Sequence, residues 1–346
     1  METLWFCLVA LMLALYVVLD GFDIGVGIVH LFVARTDAER RLTLRSIGPV
    51  WDGNEVWLIA AGGTLYFAFP ALYAASFSGF YLPLMIVLWL LVLRGISIEL
   101  RSHLEGPIWP PFWDVVFAVS SMLLAVFFGA ALGNVIRGVP IDGNGRFFEP
   151  LWTDFSPGPN AGILDWYTVS VGLAAFAVLA LHGALWIALK TRDPIQSRAR
   201  KIAALAWWSV AALTAAITLF SLRLQPQILS NLSGRPWGWV FPATALLGLV
   251  GAYRYHLARR EARAFVSSCV YIAGMIASAA FGIYPCVLPA LTGPGRALTV
   301  ANAAAPGNGL RIGLAWWVVG MVLAIGYFVF TYSRFAGKVT SETEGY

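Results

Sequence analysis

Long apolar blocks separated by short charged intervals dominate the chain. Nine of them reach about 18 residues or more, at roughly 4–34, 55–74, 77–98, 112–136, 162–189, 202–222, 237–254, 265–285 and 312–333. Blocks of that length suit helices that cross a bilayer. The second carries Pro70 near its end and has polar flanks. The pattern predicts an all-α, polytopic transmembrane helix bundle of about nine spans, forming a single transmembrane domain over residues 1–346. The first block begins Met-Glu, without a basic leader or a small-residue cleavage site, and is expected to remain as a helix rather than act as a signal peptide.

The intervals differ in charge. Seventeen of the 23 Lys and Arg lie in the connections after the first, third, fifth, seventh and ninth blocks. The positive-inside rule makes these cytoplasmic, with the N-terminus outside and the C-terminus in the cytoplasm. An even number of spans would break that alternation. The longest extracytoplasmic loop is then 137–161, rich in Gly and Pro and carrying Asp142, Glu149 and Asp154. It is expected to be an ordered surface loop, a cation or ligand site being the alternative. The final "TSETEGY" is expected to be a frayed polar end.

Composition adds little beyond this. Apolar residues make up 59% and charged residues 12% of the chain, half the charge of an ordinary soluble domain. The net charge of +5 comes from basic residues scattered between spans, which argues against a nucleic-acid stripe.

Candidate chemistry lies where polar residues interrupt the blocks. "LDGFDIGVG" (Leu19 to Gly27) sets Asp20 and Asp23 near mid-membrane, where one aspartate costs about 2.5–3.5 kcal/mol on insertion scales. At helical spacing Asp20, Asp23, Gly27 and His30 share one face, and Gly21 and Gly25 form a small-xxx-small pair beside it for close helix packing. These residues suit either a proton or ion pathway, or carboxylates buried against an arginine or backbone groups. "GPVWDGNEVW" (Gly48 to Trp57) opens the second span. Asp52 and Glu55 have the spacing of a capping box, while Trp51, Asn54 and Trp57 suit a polar, aromatic mouth at the membrane surface. Glu99 with Arg94 and Arg101 reads as interface charge with snorkelling arginines, and Asp114 and Asp165 read as first-turn charges. The four histidines (His30, His103, His182 and His256) show no metal-ligand spacing, so no metal site is expected. A hydrogen-bonded core role is expected for His30 and His182, a haem held by both being the alternative. Cys7, Cys269 and Cys286 form no CxxC motif, and no disulfide is expected.

Four stretches, "LDGFDIGVG", "ERRLTLRSIGPVWDGNEVWLIAAGG", "LRGISIELR" and "YPCVLPALTGPGRALTVANAAA", together resemble subunit II of cytochrome bd-type quinol oxidases, in order along the whole chain. The resemblance implies a multi-pass protein of the bacterial cytoplasmic (inner) membrane. It implies a partner, subunit I, that carries haem b, haem d and the quinol site, while subunit II binds no haem. The complex would oxidise quinol and reduce dioxygen to water with protons drawn from the cytoplasm. Asp52 would belong to a cytoplasmic proton channel, with Asp20 a second element of that route and Asp23 carried by the same motif. Small accessory subunits and a structural quinone are further components that the resemblance leaves open. Two other readings stay open from the residues: a secondary transporter, which would more often show repeated halves and interrupted helices, and a purely structural subunit.

Overall fold

The computed structural model describes residues 1–291 and 293–339; the tail "TSETEGY" lies outside the described residues. Twelve α-helices make up the fold: α1 (Glu2–Val33), α2 (Asp37–Arg45), α3 (Trp51–Ala68), α4 (Pro70–Gly79), α5 (Tyr81–Leu100), α6 (Trp109–Arg137), α7 (Trp166–Lys190), α8 (Ile195–Leu224), α9 (Gln227–Gly234), α10 (Val240–Leu257), α11 (Glu261–Ile283) and α12 (Gly307–Arg334). Seven are long and apolar enough to cross a membrane: α1, α5, α6, α7, α8, α11 and α12. The other two blocks hold α3 and α10, each of 18 residues, or about 27 Å, slightly less than the hydrocarbon core of about 30 Å. The predicted span 55–74 is in fact two helices. Phe69 leaves helical geometry and Pro70 starts α4 as its first residue, because proline cannot continue the hydrogen-bond ladder of α3.

Helix α1 is the axis of the bundle, packed against α3, α6, α7 and α11. Its stretch from Asp20 to His30 is buried at every position, which requires neighbours on all sides. Glycine makes this possible. A methyl group on Gly25 would lie 2.1 Å from the Leu179 carbonyl oxygen, and one on Gly183 would lie 2.1 Å from the Gly25 carbonyl carbon, so α1 and α7 meet backbone to backbone. On the opposite side a methyl on Gly27 would overlap the Ser121 hydroxyl of α6. Gly21 is less constrained, meeting only the end of the Leu179 side chain at 3.0 Å. Just beyond, Phe22 stacks on Trp186 with ring centroids 4.0 Å apart.

A short hairpin, β1 (Cys286–Leu288) with β2 (Leu298–Thr299), closes one end of the bundle. Val139 joins it through hydrogen bonds with Pro289 (3.0 Å) and Leu291 (2.9 Å). The predicted loop 137–161 is ordered by charge as well as by backbone. The buried Arg137 guanidinium binds Glu149 Oε1 at 2.6 Å, Asn134 Oδ1 at 2.7 Å and the Asp165 carboxylate. Asp165, expected as a first-turn charge, is the N-cap of α7 and accepts from the backbone of Tyr167 and Thr168. Two buried carboxylates thus share one cation. Burial pushes the Glu149 carboxyl up to about 7, against the pull of Arg137.

Two outcomes follow. Gly25→Ala should lower the thermal stability of the extracted protein by about 1–3 kcal/mol through overpacking, with Gly21→Ala close to wild type; equal melting of the two variants would remove the seam from this account. Because folded Glu149 holds its proton more tightly than an unfolded glutamate (about 4.3), the loop's attachment is strongest in acid and weakens as pH rises through about 7. Limited proteolysis of residues 138–160 at pH 5.5 and pH 8 (about those values) should show faster cutting at the higher pH, and Glu149→Gln should abolish the difference.

Candidate functional site

The polar residues of α1 meet a cluster contributed by three other helices, α3, α5 and α12. Asp20 Oδ1 accepts from Arg94 Nη1 of α5 at 2.7 Å, and Arg94 Nη2 donates to Glu55 Oε2 of α3 at 3.0 Å. One turn along α1, Asp23 Oδ2 accepts from Asn54 Nδ2 of α3 at 2.7 Å, and that amide also donates to the Leu19 carbonyl at 3.3 Å. Tyr332 of α12 donates its phenolic hydrogen to Asn54 Oδ1 at 2.8 Å. Asp20, Asp23, Asn54 and Arg94 have no exposed surface. Asp23 Oδ1 is buried without a partner among the described residues, while the buried Tyr16 hydroxyl faces Asp20. The site therefore sets two carboxylates on one guanidinium, with a third carboxylate held by the Asn54 amide beside them.

Several expectations are corrected here. Arg94 and Arg101 do not snorkel. Both are buried, because the face Leu90, Arg94, Ser97, Ile98 and Arg101 of α5 turns inward at spacings of three and four residues. Asp52 does not cap α3: the N-cap is Val50, no side chain caps the helix, and Asp52 is exposed. Glu55 turns instead towards Arg94. Trp51 and Trp57 are buried rather than placed in an interface belt; Trp57 packs on Phe328 of α12 at 5.5 Å between centroids.

A second polar cluster closes the α2 end of the bundle. Asp114, expected as a first-turn charge, is buried and accepts from Arg101 Nε at 2.6 Å and Arg40 Nη1 at 3.0 Å, with His30 Nε2 at 2.9 Å. The other His30 nitrogen faces the Thr43 hydroxyl at 2.8 Å. Asp114 also lines a cavity of about 350 Å³ with Asp37, Arg40, Arg41 and Glu105. His182 is engaged at both nitrogens, by Ser268 Oγ at 2.7 Å and the Val18 carbonyl at 3.0 Å. Among the described residues no group of three His, Cys, Asp or Glu side chains could hold a metal ion, and the three cysteines are free.

The structure thus brings Asp20, Asp23, Asn54 and Glu55 together, leaves Asp52 at the surface, and sets His30 in a separate network. The sequence reading missed Arg94 and Tyr332 as members. Arg94 carried a signal, its heptad spacing to Arg101 on one helical face; Tyr332 carried none, lying 278 residues from its partner.

The pair Asp20–Arg94 is wholly desolvated, so Arg94→Ala would leave Asp20 buried without its counter-charge. Loss of one partner of such a pair costs about 3–5 kcal/mol. The expected result is poor yield and a large drop in thermal unfolding temperature of the purified protein, partly relieved in Arg94→Ala/Asp20→Asn. A single variant that melts like wild type would show that water reaches the pair.

Comparison with known proteins places this architecture. The family described as cytochrome bd terminal oxidase subunit II matches residues 1–335. The chain is 30% identical to the "Probable cytochrome oxidase subunit 2" of Haemophilus influenzae, over 97% of this chain and 94% of that one. It is likewise 30% identical to the "Cytochrome bd-I ubiquinol oxidase subunit 2" of Escherichia coli K12, over 98% of this chain and 95% of that one. In fold it matches a chain of the bd oxidase from Geobacillus thermodenitrificans with a TM-score of 0.75 and 20% identity, covering 96% and 98% of the two chains. With the family pattern matched from its first residue to Phe335, the chain belongs to the subunit II family of cytochrome bd terminal oxidases.

Proposed function

We propose that this chain stands beside a haem-bearing subunit I in the bacterial inner membrane and lends it a proton path from the cytoplasm for the reduction of dioxygen to water by quinol. The family is that of a quinol oxidase complex with a subunit I partner. The observation that carries the reading is the cluster itself: Asp20 and Glu55 share the Arg94 guanidinium inside an apolar bundle, Asp23 lies one turn along α1, and Asp23 Oδ1 has no protein partner among the described residues. A carboxylate buried inside an apolar bundle with an unpaired oxygen can take up and release a proton.

The roles then divide by position. Asp52, exposed on the first turn of α3, is the collecting carboxylate at the cytoplasmic mouth. Asp20, Glu55 and Asp23 hold the proton further in, and Arg94 keeps Asp20 and Glu55 facing each other. His30 and Asp114 brace the cytoplasmic end. Both ring nitrogens of His30 and of His182 are engaged within the chain, and this reading assigns haem b and haem d to subunit I. The exposed apolar side chains Val56 and Ile59 of α3 and the nearly unburied α12 provide the surface that subunit I covers. In this reading α3 and α10 join the seven longer helices as spans, with the N-terminus outside and the arginine-rich connections in the cytoplasm.

The test is a tagged pull-down from native membranes, followed by a reduced-minus-oxidised spectrum and oxygen uptake with quinol. A larger haem-bearing partner should accompany the chain. In that complex Asp23→Asn and Asp52→Asn should each slow oxygen consumption by about tenfold or more while haem content stays normal. Full rates in both variants would reduce the cluster to scaffolding.

A further inference from the structure

Tyr332 is the one side chain of α12 that hydrogen-bonds to the buried cluster, and it does so where that cluster comes nearest to a second opening. We infer that Tyr332 is a positioning residue for Asp23 and that, with Asn54, it gates an approach to the buried carboxylates separate from Asp52. The inference rests on the proton-path reading above.

The geometry fixes the amide of Asn54. Its Nδ2 faces two acceptors, Asp23 Oδ2 at 2.7 Å and the Leu19 carbonyl at 3.3 Å, and its Oδ1 accepts from the Tyr332 hydroxyl at 2.8 Å. Turning the amide over would set Oδ1 against both acceptors and a nitrogen against the phenol. Asp23 and the Leu19 carbonyl therefore fix which way the amide points, and the Tyr332 hydroxyl, which can accept as well as donate, tethers the amide against swinging away. An amide does not carry protons near neutral pH, so Asn54 in this position is a plug. A proton reaches Asp23 from this side only when the amide swings away, and Asp23 Oδ1, buried without a partner, is there to receive it.

Beyond the plug lies a cavity of about 150 Å³ at the arginine-rich end, lined by Tyr332, Ser46, Val50, Trp186, Lys190 and Lys338 among others. Its lining mixes Lys190, Lys338 and Tyr332 with apolar side chains such as Val50 and Trp186, and its volume suffices for several waters. The order from the surface is cavity, Tyr332, Asn54, Asp23. Asp52 lies outside this line: it is exposed, and no hydrogen bond joins it to Asn54 or Asp23. The charged and titratable groups around Asp23 and Tyr332 are Asp20 and Tyr16 of α1, Glu55 of α3, Arg94 of α5 and Cys269 of α11, with Arg45, Lys190, Arg334 and Lys338 around the cavity. Tyr332→Phe leaves all of these in place and removes one O–H.

The assembled oxidase is the material for the test. Tyr332→Phe should slow turnover by about twofold to tenfold, the range of one lost hydrogen bond, and should move its pH profile while haem content stays as in wild type. Tyr332→Phe combined with Asp23→Asn should be no worse than Asp23→Asn alone. An unmoved pH profile, or additive losses, would overturn the gate. If Asp23→Asn itself turns over normally, the proton-path reading fails first; if Asp23→Asn is slow and Tyr332→Phe is normal in rate and profile, only the gate fails. Should Tyr332→Phe not assemble, Lys338→Cys in a Cys7→Ser background allows the cavity mouth to be closed with a bulky maleimide. Slower turnover after labelling supports the opening, and an unchanged rate refutes it.

Discussion

A guanidinium with no exposed surface sits between Asp20 and Glu55, and the placement of three helices depends on it. In a low-dielectric interior a lone arginine or a lone aspartate would be costly enough to exclude the helix that carries it. Paired at 2.7 Å and 3.0 Å, Arg94 makes the depths of α1, α3 and α5 interdependent: sliding any one of them by a turn, about 5.4 Å, breaks an ion pair that water cannot replace. Apolar packing in a membrane is comparatively indifferent to such sliding, since lipid tails solvate leucine as well as protein does. The charged contact supplies the register that the apolar contacts lack.

That register is compatible with a buried α1 only because glycine removes side chains where two backbones must touch. Gly25 against Gly183 fixes α7, and Gly27 against Ser121 fixes α6, leaving the remaining face of α1 to the polar cluster. The two devices depend on each other. Close packing excludes lipid and bulk water from Asp20 and Asp23, which strengthens the Arg94 pairing; the pairing in turn holds α1 in the groove that its glycines allow.

How much of this could be read from the sequence follows from what each feature depends on. Asp20 and Asp23 were legible because a charge inside an apolar block is anomalous whatever surrounds it, and Gly25 because small residues four apart mark a seam on one helix. The partner of each was harder. Arg94 lies six residues from the end of α5, a position where arginine usually reaches for the surface, and only the inward face it shares with Ser97 and Arg101 argues otherwise. Asp52 misled in the opposite direction. Its spacing to Glu55 imitates a cap, yet α3 starts one residue after Val50, and Glu55 is drawn to Arg94 by a charge 39 residues away. The break at Pro70, the hairpin at Cys286 and the Arg137 clasp rest on loop geometry, for which hydropathy carries no signal.

The C-terminal helix shows what remains once these local rules are applied. Among the residues of α12 only Leu310 and Thr331 are buried, so apolar packing within the chain hardly holds it. Its attachment is instead specific and spread out: Trp317 Nε1 to Met12 Sδ at 3.4 Å, Phe328 against Trp57, and Tyr332 to Asn54. A helix held in this way derives its position from a few polar and aromatic contacts, while its wide apolar face is left for lipid or another subunit. Whatever covers that face bears on α12, and α12 bears on Asn54 through one hydroxyl. In the gate inferred above, the phenol of Tyr332 is the point at which α12 meets the buried carboxylate network.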